Sequence, residues 1–196
     1  MKRTILIATL FVATLTKAQT FTLKSKDLGG QATEKQVLNG FGCTGKNISP
    51  QLFWENAPEN TKSFAVTIHD EDAPTGSGWW HWLIFDIYKD VTELKQGAGK
   101  ITNEIAPKNT IQSKTDFGTP GYGGPCPPVG SSPHKYIVTV YALKIEKLGL
   151  DSSANPALVG FMLEQNAIQK ASLIFYYTHT DLNENFIQNT PNKFEQ

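Results

Sequence analysis

The sequence predicts a mainly β protein, an antiparallel β-sandwich of two sheets with a small helical complement near the C-terminus. Aromatic side chains are plentiful, with 11 Phe, 6 Tyr and 4 Trp, and 16 Gly and 11 Pro interrupt the chain at short intervals. Two β-prone runs are apolar on both faces, which is typical of strands buried at the centre of a sandwich. These features favour β structure over a helix bundle.

The first 18 residues have the features of a secretory signal peptide. Lys2 and Arg3 form a charged start, residues 4–15 are apolar, and Ala18 ends a plausible cleavage sequence. Such an apolar run is short for a membrane span, which needs roughly 20 residues. We therefore expect an exported protein, periplasmic or secreted, without stable membrane insertion. An uncleaved anchor is the alternative.

Length and composition indicate one domain. No internal repeat, low-complexity block or linker interrupts the sequence between Phe21 and Thr178, and a chain of this length can bury a substantial core. The predicted division is a signal peptide over 1–18, a single domain over 19–178 and a polar C-terminal tail over 179–196.

The charge balance argues against one class of partner. Removal of the signal peptide would leave 15 basic against 18 acidic side chains, a net charge near −3, and would remove Arg3, the only arginine. Binding to a phosphate backbone requires a basic surface. We therefore expect no nucleic-acid partner.

The central strands are predicted from their apolar patterns. Residues 63–70 alternate, with every second residue from Phe64 to Ile68 on the face assigned to the core. Residues 81–87 and 136–143 are apolar on both faces. Turns are predicted at 47–50, 56–60 and 73–78.

One helix is predicted near the C-terminus. Asn155 can cap it and Pro156 suits its first position. Residues 171–177 are β-branched and aromatic, so they predict a final strand, and the helix is expected to pack on the sandwich. The side of the helix that faces the sandwich is expected to contain Leu158, Phe161, Met162, Gln165 and Ile168.

Two cysteines, Cys43 and Cys126, both lie in loops rich in Gly and Pro. An even number of cysteines in an exported chain favours a disulfide. Two unpaired thiols are the alternative, because a sequence does not show whether their Cα atoms come within reach of each other.

Acidic and histidine side chains lie at the ends of predicted strands. Asp70 is the last residue of its strand and lies on the core-facing side. If 63–70 and 81–87 are antiparallel neighbours, His81 starts the second strand beside Asp70. His134 begins the next apolar run and lies on the same face of it as Tyr136. We expect His134 at the same end of the sheet as Asp70 and His81.

These groups could bind a small anion. Imidazoles donate hydrogen bonds, glycine-rich turns expose backbone N–H groups, and the carboxylates of Asp70 and Asp72 could orient the imidazoles. Phosphate and acetate are therefore natural ligands. Because the two carboxylates limit how strongly a dianion is held, a zwitterionic group such as phosphoethanolamine would suit the site better.

Four long motifs cover nearly all of the chain between its ends: FGCTGKNISPQLFW (41–54), KSFAVTIHDEDAPTGSGWWHWLIFDI (62–87), TDFGTPGYGGPCPPVG (115–130) and HKYIVTVYAL (134–143). They closely resemble the phosphatidylethanolamine-binding protein family, specifically its bacterial Raf-kinase-inhibitor-like branch. The resemblance implies an antiparallel β-sandwich with a shallow anion-accepting pocket, and a cis peptide bond before Pro74. The residues that match the family's pocket are Asp70, Asp72, Pro74, Trp79, His81, Gly124, Pro127, His134 and Tyr136.

Two positions depart from the family's pattern. Glu71 stands where a proline usually follows Asp70, and it adds a negative charge at the mouth of the pocket. Lys135 replaces the usual arginine after His134. Lysine lacks the bidentate phosphate grip of a guanidinium, although strand parity points Lys135 away from the pocket.

Other interpretations remain open. Asp70, His81 and His134 could form a site for iron or zinc. Asp70 and His81 could instead activate water in a weak hydrolase, although no GxSxG elbow accompanies Ser131 and Ser132. An apolar patch beside the pocket would favour a protein-interaction role, such as the inhibition of a kinase or a protease.

Some aromatic and histidine residues are given other roles. His69 has the opposite parity to Asp70 and is expected to be structural or exposed, and His179, at the edge of the tail, is given no role. Trp79 is expected at the pocket wall. The tryptophans assigned to packing are Trp54, Trp80 and Trp82.

The sequence therefore predicts a non-catalytic protein that binds a small anionic or zwitterionic ligand, with no cofactor and no metal. A protein partner is the alternative. A homodimer could also form if an exposed edge strand pairs two copies.

Overall fold

The computed structural model describes residues 19–180. The predicted signal peptide (1–18) and all but the start of the predicted tail lie outside these residues. The described elements are β1 (Thr22–Lys24), β2 (Asn39–Gly40), β3 (Cys43–Thr44), β4 (Leu52–Glu55), β5 (Ser63–Asp70), β6 (Trp79–Tyr88), β7 (Glu93–Leu94), β8 (Ile111–Gln112), β9 (His134–Leu143), α1 (Pro156–Asn166) and β10 (Ala167–Tyr177). Within residues 19–180, no helix has both the length and the apolar character needed to cross a membrane.

The strands form a sandwich with its core between two sheets. One sheet has five strands in the order β10-β9-β5-β6-β8, the other has three in the order β1-β4-β7, and β2 and β3 form a separate hairpin. Trp54 of the small sheet packs against Phe64 of the large sheet, with ring centroids 5.1 Å apart. The predicted antiparallel β-sandwich is confirmed.

The apolar runs of the sequence are the three central strands. The strand predicted at 63–70 is β5 with the same bounds. The run at 81–87 is β6, which is longer at both ends, and the run at 136–143 is β9, which begins two residues earlier. β5 pairs antiparallel with β6 on one side and with β9 on the other. β5 is therefore paired along both of its edges, and the small sheet and the helix cover its two faces.

The helix covers the outer face of the large sheet. Asn155 Oδ1 accepts a hydrogen bond from the Leu158 N–H at 2.9 Å, and Pro156 occupies the first turn, so the predicted start of the helix is confirmed. The predicted inner face is wrong in part. Val159 and Leu163 are buried against the sheet, whereas Leu158 and Phe161 are 42% and 60% exposed.

The end of the helix also differs from the expectation. Ile168, which the helical pattern included, belongs to β10, which begins at Ala167 rather than at 171. The N-terminal part of β10 pairs with the end of β9, with Ala167 opposite Leu143. Pairing between strands therefore overrides the local helical pattern after Asn166.

The disulfide Cys43–Cys126 is present, with a Cα–Cα distance of 6.0 Å. It ties the β2–β3 hairpin to the Gly- and Pro-rich loop that precedes β9. The two cysteines are 83 residues apart in sequence, and closing so long a loop in the unfolded chain stabilises the fold by roughly 4–5 kcal/mol in the chain-entropy account.

We predict that Leu163→Ala lowers the free energy of unfolding by about 2–5 kcal/mol, because it removes a fully buried side chain from the contact between helix and sheet. The matched control is Leu158→Ala on the exposed side of the same helix, which should change stability by less than about 1 kcal/mol. Denaturant unfolding followed by tryptophan fluorescence measures both. Equal losses would contradict the observed orientation of the helix.

Candidate ligand-binding site

A cavity of about 970 Å³ lies where β5 ends and where β6 and β9 begin. Asp70, at the end of β5, is opposite Trp79 of β6 and Tyr136 of β9. Seven of the nine residues predicted for the pocket line this cavity, and Asp72 and Gly124 do not. The seven are Asp70, Pro74, Trp79, His81, Pro127, His134 and Tyr136.

Asp70 holds His134 rather than His81. Its Oδ2 atom lies 2.8 Å from His134 Nδ1, and both residues are buried. Since the carboxylate is an acceptor, Nδ1 carries the proton and donates it. His134 Nε2 makes no hydrogen bond with residues 19–180, so this atom is left for the cavity.

His81 is held by a backbone carbonyl. Its Nδ1–H donates to the Gly123 oxygen at 2.7 Å. Burial lowers its pKa from 6.5 to about 4, and the bond to Gly123 and the negative charge of Asp70 oppose this shift only in part. The ring is therefore neutral at pH 7, and its Nε2 atom is an acceptor.

Two expectations about His81 are therefore wrong: Asp70 does not orient it, and in its neutral form it does not donate to a ligand. The reason lies in the sheet register. Tyr136 lies opposite Asp70, so His134, two residues earlier, extends past the end of β5. His81 instead lies two residues into β6, beneath the loop that contains Gly123.

Tyr136 contributes a buried hydroxyl group. Its side chain is fully buried, its ring stacks on Phe175 at 5.0 Å, and its Oη atom has no hydrogen-bond partner within residues 19–180. Burial raises the pKa of this phenol most, and the nearby carboxylate of Asp70 raises it further by its charge and as a hydrogen-bond acceptor just beyond good geometry, so the phenol stays protonated. An unsatisfied buried hydroxyl costs about 1–3 kcal/mol, and here it can donate to a ligand.

Asp72 has a structural role. Its Oδ2 accepts from the Lys135 N–H at 2.7 Å, and its own N–H donates to Asp70 Oδ1 at 2.9 Å. It therefore links the loop after β5 to β9 and does not orient an imidazole, contrary to the expectation. Glu71 and Lys135, the two departures from the family's pattern, pair with each other at 2.8 Å.

Gly124 is not a free backbone donor, because its N–H donates to Asn47 Oδ1 at 2.7 Å. A Cβ atom at this position would lie 2.0 Å from the carbonyl oxygen of Gln36. Glycine is needed here for close packing between two loops. The expected contribution of this N–H to ligand binding is therefore wrong.

The expected cis bond before Pro74 is also wrong, since no peptide bond within residues 19–180 is cis. The loop from β5 to β6 reverses through Gly78 instead, which has a φ of +72°. A Cβ at Gly78 would lie 2.5 Å from the carbonyl oxygen of Asp70. The loop therefore turns without the cis isomer, which is less stable by about 0.5–1 kcal/mol before proline.

Sequence reasoning missed several residues that line the cavity, among them His179, Phe41 and Phe117. His179 Nδ1 lies 3.2 Å from the Pro127 oxygen. Phe41 is 76% exposed and stacks on Phe117 with a centroid distance of 5.9 Å. An aromatic residue between Gly40 and Gly42 was a local signal for Phe41, whereas nothing local marked His179.

The other aromatic expectations agree with the structure. The His69 ring packs on Trp80 at 4.2 Å, on the face of the sheet away from the core. Trp54 and Trp82 are fully buried, and Trp79 lines the cavity.

The two catalytic alternatives gain no geometric support. Within residues 19–180, the one cluster of three potential metal ligands is Cys43, Cys126 and His179, and it includes neither Asp70 nor His81. The buried Ser131 Oγ atom has no hydrogen-bond partner among the described residues, 19–180. It is therefore not held by His134 as a nucleophile is held by its base.

The fold is an antiparallel β-sandwich, and comparison with known proteins identifies its family. The sequence model of the family described as "Phosphatidylethanolamine-binding protein" matches residues 29–178. The chain belongs to this family.

Relatives from Escherichia coli K12 align over most of the chain. The UPF0098 protein YbcL is 45% identical over 89% of this chain and 98% of its own length, and the UPF0098 protein YbhB is 45% identical over 77% and 96%. The crystal structure of YbcL, described as a new member of the mammalian PEBP family, superposes with a TM-score of 0.80. That comparison has 47% identity and covers 81% of this chain and 98% of the YbcL chain.

We predict that His81 stays neutral down to about pH 5 and takes up a proton only near pH 4, because burial lowers its pKa in the folded protein. The unfolded chain binds that proton near pH 6.5. Stability is therefore greatest above pH 6.5 and falls as the pH drops toward 4.

An NMR titration of the imidazole signals measures this pKa and the Nδ1–H tautomer. In His81→Gln, the acid-dependent loss of stability should be smaller than in the wild type. A His81 signal that titrates near 6.5 would contradict the assignment.

Proposed function

We propose that this protein binds a small anionic or zwitterionic ligand in the cavity and does not catalyse a reaction. One observation carries the proposal. His81, His134 and Tyr136 are buried polar residues that line one cavity, and each has a polar atom that no residue within 19–180 satisfies. The Tyr136 Oη atom is itself buried, and buried polar atoms in native proteins normally have partners, so a ligand or water is expected to supply one.

The hydrogen-bonding capacity of these atoms favours a particular ligand. Tyr136 Oη can donate to a ligand oxygen, whereas neutral His81 Nε2 can only accept. The carboxylate of Asp70 adds a negative charge to the same wall. A group that combines an anionic oxygen with an N–H or O–H donor, such as phosphoethanolamine or a protonated phosphate, fits better than a bare dianion.

The absence of catalysis is part of the proposal. Asp70 and His134 form an acid–base pair, but the structure offers no serine or cysteine nucleophile hydrogen-bonded to that imidazole within residues 19–180. Ligand binding without a reaction requires only polar atoms that can hydrogen-bond to the ligand, and His81, His134 and Tyr136 supply them.

A protein-interaction role is the second candidate, and the mouth of the cavity favours it. Phe41 and Val129 line the cavity and are 76% and 53% exposed. Exposed apolar side chains beside a polar pocket suit a partner segment whose phosphorylated or acidic side chain enters the cavity. Tighter binding of a phosphopeptide than of the isolated headgroup would favour this candidate.

We also propose an exported location. The disulfide supports it, because disulfides persist in oxidising compartments outside the cytoplasm. The signal peptide itself stays a prediction from the sequence.

We predict that Tyr136→Phe weakens the binding of phosphoethanolamine by about tenfold or more, since a hydrogen bond to a charged group contributes roughly 1.5–3 kcal/mol. The same change should leave the free energy of unfolding unchanged or raise it, because it removes an unsatisfied buried hydroxyl. Calorimetric titration and denaturant unfolding measure the two effects.

His69→Gln is the matched control for this experiment. His69 lies on β5 next to Asp70 but packs against Trp80 outside the cavity, so the affinity should stay at the wild-type value. Unchanged affinity in Tyr136→Phe would reject the proposed site.

We predict that sulfate, an anion without a proton to donate, binds more tightly as the pH falls from 7 to 5. His81 can donate to it only after taking up a proton, so the affinity should rise by up to about tenfold per pH unit. Phosphoethanolamine brings its own donor and should show a smaller rise. The pH dependence for sulfate should decrease in His81→Gln, and an unaltered dependence would contradict the role assigned to His81.

A further inference from the structure

One corner of the cavity contains the sulfur atoms of Cys43 and Cys126 and a ring nitrogen of His179, all within 4.8 Å of one another. The three residues come from separate parts of the fold, namely the β2–β3 hairpin, the loop before β9 and the segment after β10. All three line the cavity. None of them hydrogen-bonds to the polar side chains at the ends of β5, β6 and β9 that line the same cavity.

One of the distances in this cluster, from the Cys43 sulfur to the His179 ring nitrogen, matches the distance between two ligands of a tetrahedral metal ion. Cys43 Sγ lies 3.6 Å from His179 Nδ1. With bonds of about 2.3 Å to sulfur and about 2.0 Å to nitrogen, two ligands of a tetrahedral zinc ion lie about 3.6 Å apart. The two sulfurs of such a site would be about 3.8 Å apart, so the disulfide bond is what closes the site.

We expect the hairpin that carries Cys43 to move when that bond breaks. β2 and β3 have only two residues each, and glycines flank Phe41 at their turn. Cys126 lies between Pro125 and Pro127, which restrict the backbone. A small shift of Cys43 relative to Cys126 would then let the two sulfurs take the separation of about 3.8 Å that a tetrahedral metal needs.

We propose that reduction of Cys43–Cys126 creates a Cys₂His site for a zinc-like divalent cation, with Cys43, Cys126 and His179 as ligands. A dithiol reductant supplies two electrons and two protons, its own sulfurs become a disulfide, and the protein disulfide becomes two thiols. The cation then replaces the two thiol protons, which leave to solvent. The inference does not depend on the proposed ligand of the cavity.

The neighbouring groups define what the cation must displace. His179 Nδ1 now faces the Pro127 oxygen at 3.2 Å, so coordination through Nδ1 requires the Nε2–H tautomer and breaks this contact. The carbonyl oxygens of Gly40 and Phe41 lie 3.7 and 3.6 Å from Cys126 Sγ. These dipoles favour a thiol over a free thiolate, so the charge of the cation is needed to remove the proton.

The donor set selects the class of cation. Two thiolates and one imidazole suit zinc and similar borderline metals and not calcium or magnesium. Three protein ligands leave a fourth position, which can hold water or an anionic oxygen in the cavity. In the reduced protein, the cation would thus add a positive charge to a cavity that otherwise has Asp70 on its wall.

The test uses cobalt(II) as a spectroscopic probe for zinc. The whole protein is reduced with a phosphine, which is then removed under argon, and cobalt is added. Reduced wild type should give one equivalent of a tetrahedral cobalt spectrum with a thiolate charge-transfer band, which zinc then removes. The oxidised protein and the double variant Cys43→Ser, Cys126→Ser should give no such band.

His179→Ala separates this site from a simple pair of thiols. Loss of a direct ligand should weaken binding by at least about tenfold, whereas the control His69→Gln should bind like the wild type. The proposal is overturned if reduced wild type gives no charge-transfer band, or if His179→Ala binds cobalt as tightly as wild type does.

Reduction could also unfold the chain, and near-ultraviolet circular dichroism of the tryptophans detects this. In that case the proposal requires zinc to restore the folded signal in wild type but not in His179→Ala, because metal binding is then coupled to folding. Failure of zinc to restore the wild-type signal would equally count against it.

Discussion

The pairing of β5 between β6 and β9 is the constraint on which the cavity depends. Asp70 ends β5 opposite Trp79 on one side and Tyr136 on the other. This register puts His134 and Tyr136 at one rim with the carboxylate and sets His81 deeper. A slip of one residue would turn every side chain of the strand to the opposite face, so the same pairing that builds the core also assembles the site.

The cavity wall contains buried polar groups of a kind that is uncommon in a hydrophobic core. A carboxylate and an imidazole are buried together at 2.8 Å, a second imidazole is kept neutral by burial, and the hydroxyl of Tyr136 has no partner within residues 19–180. Buried polar groups that lack partners are often found at functional sites.

The disulfide and the hairpin shape the other side of the cavity. Phe41 has a φ of +51°, a backbone conformation that is unfavourable for a bulky residue, by about 1–2 kcal/mol. The link from Cys43 to Cys126 anchors the hairpin that holds this exposed ring at the mouth. The apolar mouth and the polar wall are thus built by different parts of the chain.

Local patterns in the sequence were enough to determine the central strands, the capped start of the helix and the polar side chains at the strand ends. Alternating apolar residues, an Asn–Pro pair at a helix start and polar residues at strand ends depend only on nearby residues, so a single sequence is enough to recognise them. Tertiary structure alone decided that Asp70 holds His134, that Asp72 and Gly124 serve packing, that Val159 and Leu163 face the sheet, and that His179 reaches the disulfide. Those outcomes depend on strand register and on close approach between segments far apart in sequence, and no local pattern encodes either one.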